Sequence, residues 1–419
     1  MSFAASAFAI HAEIPAETSA IVAKGATQIT LGGELRFRGW YQKNITSAFA
    51  PASTTSQAWY DTRVRLSVDA NVAPGVQGYL QLESGDSATS DVNNWGNFNQ
   101  KTPGFNILQS WILYKGTGLL GFGSGLKVGH MPLALGEKQF FDHTRFGDDA
   151  IVFFMDPTKE MHIGLLTVKF AGDGNSHKAI PLAGVPASGL SGSAADNTND
   201  TDGYVALITY KLDGKNTIGA NYTYVNNSDA ELTLQNLGLH ANGNISGFGY
   251  KAEGDIQFGE FGSSKFKGLA LLVAANYMID PANIRASFAY GSGNDGGSDI
   301  KAFIPFVSEV QNYTLIYEYR VATTCGAKAT GLCNTTYFNV GADFTPVKDV
   351  KASIDGYILR ASKAAGSKEA GWEVDGKVAY NVAKNLTYQV DAGYFKAGDF
   401  YGTANKGVSI LRHMMTLSF

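Results

Sequence analysis

Hydrophobic and polar positions in this chain alternate with a period of two over unusually long stretches. In Gln28 to Tyr41, Ile29, Leu31, Leu35, Phe37 and Tyr41 fall on one side, and Thr30, Glu34, Arg36, Arg38 and Trp40 on the other. In Tyr60 to Val72 the same rule sets Tyr60, Val64, Leu66, Val68 and Val72 against Asp61, Arg63, Arg65, Ser67, Asp69 and Asn71. Successive side chains of a strand point to opposite faces, so each stretch has one oily face and one ionic face. Both exceed the ordinary strand of about 5–6 residues and match the roughly 9–11 with which a tilted strand crosses a bilayer. The pattern predicts an all-β, transmembrane antiparallel barrel with lipid outside and water inside.

Connection lengths set the topology, because bacterial barrels combine short periplasmic turns with longer outer loops. A Ser/Thr/Ala-rich loop follows the first stretch and Ala73-Pro74-Gly75 the second, which places the first loop outside. Further strands are predicted at Val76–Glu83, Ile107–Lys115, Leu126–Gly129, Ala150–Asp156, His162–Ala171, Gly203–Leu212, Thr217–Asn226, Leu234–Ala241 and Gly247–Gly259. The series continues with Gly268–Met278, Asn283–Gly291, Tyr337–Thr345, Val350–Leu359, Trp372–Asn381, Leu386–Phe395 and Val408–Phe419. Between Leu234–Ala241 and Gly247–Gly259 the turn is expected at Asn242-Gly243-Asn244. Tyr313 to Arg320 also reads as a strand, but counting it would put the tight turn Pro346-Val347-Lys348-Asp349 on the outer side. Ser292 to Asn334 is therefore expected to form one large extracellular loop, of which residues 293–334 are the body. About eighteen strands result, with both termini periplasmic, and a barrel of about 16–18 strands encloses an aqueous lumen.

From Pro132 to Asp148 the alternation stops. Lys138, Asp142, His143, Arg145, Asp148 and Asp149 appear there among Phe140, Phe141 and Phe146. A mixed-charge, aromatic-rich loop after strand five suits a constriction folded into the lumen, and it equally suits an outer loop decorated with charge.

Composition narrows the alternatives. Mean hydropathy is −0.08, and no run of eighteen apolar residues occurs, which argues against membrane helices but not against a barrel. A net charge of −4 gives no case for nucleic acid as a partner. Met1 to Ala12 read as the tail of a signal peptide without its basic segment, or as an ordinary N-terminal tail. Residues 1–24 are thus expected to be leader and periplasmic lead-in, and 25–419 the barrel. Cys325 and Cys333 lie close together in a glycine-rich loop, as a local disulfide or as reduced thiols; two cysteines alone do not make a metal site. The glycine-rich stretches lack the Lys-Ser/Thr of a phosphate loop. His143 with Asp142 and Asp148 has no nucleophile beside it in a recognisable motif, so neither catalysis, cofactor nor metal is expected.

The strand pattern turns Arg36, Arg38, Arg63, Arg65 and Arg285 inward, along with Glu34, Asp61, Asp69, Glu83, Glu253, Asp255, Asp343, Glu373, Asp375 and Asp391. A guanidinium grips carboxylate or phosphate with two parallel hydrogen bonds and keeps its charge, which fits a solute path. The same arginines could instead pair with Glu34, Asp61 and Asp69 across neighbouring strands and stiffen the wall.

Several stretches resemble the alginate-export family of eighteen-stranded outer-membrane porins: GLHANGNISGFGYKAEGDIQFG from Gly238 to Gly259, YGSGN from Tyr290 to Asn294 followed by Phe303-Ile304-Pro305, and Gly371 to Tyr401. The terminal Phe419 resembles the closing aromatic of outer-membrane barrels. The resemblance implies the outer membrane of a Gram-negative bacterium and, in its narrow form, export of an anionic polysaccharide through a strongly electropositive lumen. The interleaved acids depart from that lumen. The expectation drawn from the residues is a passive channel for small hydrophilic solutes, anionic or zwitterionic. Outer-membrane lipid would surround it, and solute would pass the Lys138–Asp149 region. A barrel sheathing a partner electron carrier and an outer-membrane enzyme are the alternatives, and association into homo-oligomers or with a periplasmic protein is left open.

Overall fold

The structure, a computed structural model, describes residues 20–24, 27–45, 55–85, 93–95, 105–171, 200–227, 230–308, 311–327, 330–402 and 407–419. The stretch Met1 to Ala12 lies outside the described residues. Among those described, eighteen long strands run antiparallel in chain order. They are β1 (Thr27–Lys43), β2 (Ser56–Ala73), β3 (Val76–Ser84), β4 (Asn106–Gly116), β5 (Gly123–Ala134), β6 (Phe141–Asp156), β7 (Met161–Ala171), β8 (Thr201–Lys211) and β9 (Thr217–Asn227). The second half comprises β10 (Leu232–Ile245), β11 (Phe248–Phe261), β12 (Leu269–Ile279), β13 (Ala282–Gly291), β14 (Thr335–Val347), β15 (Val350–Ala361), β16 (Glu369–Ala383), β17 (Leu386–Ala397) and β18 (Val408–Ser418). β18 pairs with β1 from Ser409↔Lys43 to Ser418↔Glu34, so the sheet closes on itself and leaves no long edge unpaired.

The solvation is that of a membrane barrel. Leu31, Phe37, Tyr60, Leu66, Ile256, Phe258 and Val374 are exposed on the outer face, while Glu34, Arg36, Asp61, Arg63, Arg65, Glu83, Asp255, Glu373, Asp375 and Asp391 are buried inside. Apolar groups facing outward and charges facing inward are stable only where the outer solvent is hydrocarbon.

At the seam, Phe419 exchanges backbone hydrogen bonds with Gly33 at 2.7 and 3.0 Å. Its ring fills the space over that glycine: a Cβ there would come 2.5 Å from Phe419 Cζ. Beyond the end of β18, Ala20–Lys24 pairs with Thr27 to Leu31 on the same side of β1. The last residues of the expected lead-in therefore belong to the sheet, because β1 is longer than β18 and would otherwise offer unpaired backbone.

Three expectations are corrected. The chain reverses after β10 at Ser246-Gly247 (φ 52° and 91°), not at Asn242-Gly243-Asn244, since two positive-φ residues make the tight hairpin turn. The stretch after strand five is not irregular throughout. β5 extends to Ala134 and β6 begins at Phe141; between the pairs Met131↔Asp148 and Leu133↔His143 the ladder bulges, with Gly147 at φ 79°, and the bulge masks the alternation.

The Ser292 to Asn334 connection leaves the outer end of β13 but turns into the barrel. Phe303, Ile304, Phe306, Leu315, Ile316, Tyr317 and Glu318 are fully buried, and Tyr317–Arg320 is a single helical turn rather than a strand. They pack with Val225, Leu234, Tyr337, Leu359, Phe395 and Val408, inward residues near the outer ends of their strands, so the hydrophobic core sits inside the outer part of the lumen. No helix among the described residues is long and apolar enough to cross a membrane.

Candidate pore constriction

The arginines of the first hairpin are paired. Arg63 Nε donates to Glu34 Oε1 at 2.8 Å, Arg38 Nε to Asp61 Oδ1 at 2.7 Å and Arg65 Nε to Glu83 Oε2 at 2.6 Å. From β18, Arg412 Nε reaches Asp391 Oδ2 at 2.8 Å. Asp69 takes Gln77 at 2.9 Å, so Glu83 of β3 stands where pairing with Asp69 was expected. Cross-strand register puts Arg36 opposite Arg63. The side chains of Arg38, Arg63 and Arg65 are only 11, 4 and 9% exposed. Removing one partner from such a buried pair costs about 3–5 kcal/mol.

Trp40 ties this wall to the long loop. Its Nε1 donates to Asp61 Oδ2 at 2.7 Å, its ring stacks on Trp59 at 5.5 Å, and Arg38, Arg412 and Arg320 lie over it at 5.1, 5.0 and 4.8 Å. Arg320 belongs to the β13–β14 connection.

Glu373 and Asp375 were expected to line open water. Instead they seat that loop: Glu373 accepts the N–H groups of Ile316 (2.6 Å) and Tyr317 (2.8 Å), and Asp375 that of Leu315 (3.1 Å). Within the loop, Glu318 accepts the N–H groups of Asn312, Tyr313 and Gly331 at 2.7, 2.8 and 2.7 Å, and complete burial pushes its carboxyl up to about 7. Cys325 and Cys333 are disulfide-bonded with Cα atoms 5.7 Å apart, bracing the return limb. Arg285 grips Asp355 through two 2.9 Å hydrogen bonds and reaches Asp343 at 2.8 Å.

The β5–β6 hairpin also points inward. The Glu137 N–H at its tip donates to Glu253 Oε2 at 2.6 Å, and Asn242 Nδ2 donates to Glu137 Oε1 at 2.7 Å, so the hairpin reaches the inner face of β10 and β11. Its charges pair locally: Lys138 with Asp142 at 3.7 Å and His143 Nδ1 with Asp148 Oδ1 at 2.7 Å, while Arg145 lies 4.6 Å over Phe146. Phe306 N–H donates to the Phe140 carbonyl at 3.0 Å, Val307–Ser308 runs parallel beside Phe141 and Asp142, and Phe306 packs on Phe140 and Phe170. Two loops thus meet within the barrel.

The sequence reading passed over an apolar sector. Val152, Leu166, Val168, Val205 and Leu207 face inward from β6–β8 and, with Pro132 to Leu135 and Phe141, bound a cavity of about 210 Å³. The available signal was apolar residues on both faces of β7, where Ile163 and Leu165 alternate with Leu166 and Val168.

No protein-family model and no curated protein sequence matches the chain. Among solved structures it is similar to the outer membrane protein OpdK from Pseudomonas aeruginosa, at 11% identity and TM-score 0.61, covering 93% of this chain and 99% of that one. It is also similar to P. aeruginosa OccK5 (OpdH), at 14% identity and TM-score 0.58, covering 93% and 98%. A third similar structure is P. aeruginosa OpdQ, at 12% and 0.59, covering 93% and 97%. None of these comparisons supports the narrower likeness to alginate exporters. At such identities the similarity is one of fold, and the fold shown is the closed eighteen-stranded antiparallel barrel of these outer-membrane proteins.

Proposed function

We propose that the protein is a porin of a Gram-negative outer membrane that lets small anionic or zwitterionic solutes diffuse passively. The observation that carries this reading is the lumen: the wall on β1, β2 and β18 is rich in guanidinium, and two loops narrow the enclosed space. A charged wall beside a narrowed path sets ion preference, with no covalent step or cofactor required. One of the similar structures is OpdK solved with vanillate, an anion. A polyuronate chain or a sheathed electron carrier would need a wider path than a lumen crossed by its own two loops. The reading requires no protein partner, only lipid around the barrel.

Liposome swelling tests it. Proteoliposomes should swell faster in small amino acids or monocarboxylates than in an uncharged sugar of equal size. Equal rates would remove the role given to the charged wall, and the absence of swelling would reject the channel.

A further inference from the structure

On the inner faces of β9, β10 and β11, six side chains carry polar atoms without a hydrogen-bond partner among the described residues: Asn221 Nδ2 and Oδ1, Thr223 Oγ1, Asn236 Oδ1, Glu253 Oε1, Asp255 Oδ2 and, across from Glu253, His240 Nδ1. All but the half-buried His240 are at most 3% exposed. Cross-strand register lines up Asn221, Gly238 and Asp255 in one row, with Thr223 and Asn236 in the next. A Cβ on Gly238 would lie 2.7 Å from Asp255 Oδ1 and 2.8 and 3.0 Å from the two amide atoms of Asn221, so these groups converge above the bare glycine. Asn236 Nδ2 adds a 2.8 Å hydrogen bond to Asp255 Oδ1. Buried polar atoms are almost always satisfied, and so many orphans in one patch point to an absent partner.

The charge points the same way. Buried Glu34, Asp61, Glu83, Asp355 and Asp391 each meet an arginine, and Glu373 and Asp375 receive backbone N–H groups of the loop. Glu253 accepts the Glu137 N–H and Asp255 the Asn236 amide, but neither has an ion-pair partner among the described residues, although they occupy consecutive inward positions of one strand. Two buried carboxylates without a counter-charge are strongly unfavourable.

We propose that this cluster binds one hard divalent cation of the Ca²⁺ type. Its donors are carboxylate, amide and hydroxyl oxygens, the set such ions select, and its two carboxylates match the ion's charge. The ion would also fix the constriction, since the other oxygen of Glu253 holds the tip of the β5–β6 hairpin through the Glu137 N–H. This site goes beyond the channel reading and does not depend on it.

Calorimetric titration of CaCl₂ into full-length protein, refolded in detergent and stripped with chelator, decides the matter; refolded material carries no lipopolysaccharide to bind ions at its surface. One Ca²⁺ per chain is expected, bound more tightly than Mg²⁺. Asp255→Asn and Asn221→Ala should each weaken it at least about tenfold while keeping the heat-modifiable gel mobility of a closed barrel. Thr223→Val, which removes one neutral donor, serves should either variant fail to fold. Wild-type protein without saturable Ca²⁺ uptake, a preference for Mg²⁺, or folded variants that bind as the parent does would each overturn the assignment.

Discussion

Trp40 joins two parts of the molecule that are far apart in sequence, with Arg38 and Arg412 approaching its ring from the wall and Arg320 from the loop. A cation over an indole contributes about 0.5–2 kcal/mol, more when dry. Trp40→Leu keeps an apolar side chain but loses the π face and the hydrogen bond to Asp61, and should lower unfolding stability by roughly 2–4 kcal/mol. An unchanged urea midpoint would show that the latch is energetically idle. Glu318 supplies a pH dependence. Its carboxyl is raised by burial from an ordinary value of 4.5 to about 7, so its stabilisation of the loop is full below 4.5 and is lost as pH rises through about 7. Current fluctuations from the loop should therefore grow between pH 5 and pH 8, and Glu318→Gln should flatten that dependence. At this scale the direction of each charged side chain was legible from alternation, while its partner was not. Glu34 lies directly opposite Arg65 yet accepts from Arg63, two residues along the strand on the same face, because a long guanidinium reaches diagonal neighbours.

Strands were legible where they were regular. The hairpin β1–β2 and the late strands β15–β17 follow the period of two because one face meets oil and the other polar groups. Reading failed where the ladder bulges, as at Thr144 to Gly147, and where an Asn-Gly-Asn tripeptide continues a strand instead of turning. It failed also for the β13–β14 connection. Its apolar residues have no period to read, and their burial depends on inward side chains of strands far off in sequence. The carboxylates that receive this loop give a test. Glu373→Ala removes the acceptor of two backbone N–H groups, and a hydrogen bond to a charged group contributes about 1.5–3 kcal/mol, so loop displacement should become at least about tenfold more frequent. Larger and noisier single-channel currents are expected; currents equal to the parent's would mean that the loop is held elsewhere.

The whole molecule follows from one inversion, apolar outside and charged inside, closed by β18 on β1 with Phe419 seated against Gly33. That inversion makes sense only in a bilayer, and an enclosed lumen of this strand number holds water. The most direct measurement is the current through single molecules in a planar bilayer under a salt gradient. Ohmic conductance with a modest anion preference is expected, weakened in Arg36→Ala, Arg63→Ala and Arg65→Ala. An electrically silent bilayer, or a cation preference that these substitutions leave unchanged, would contradict the account.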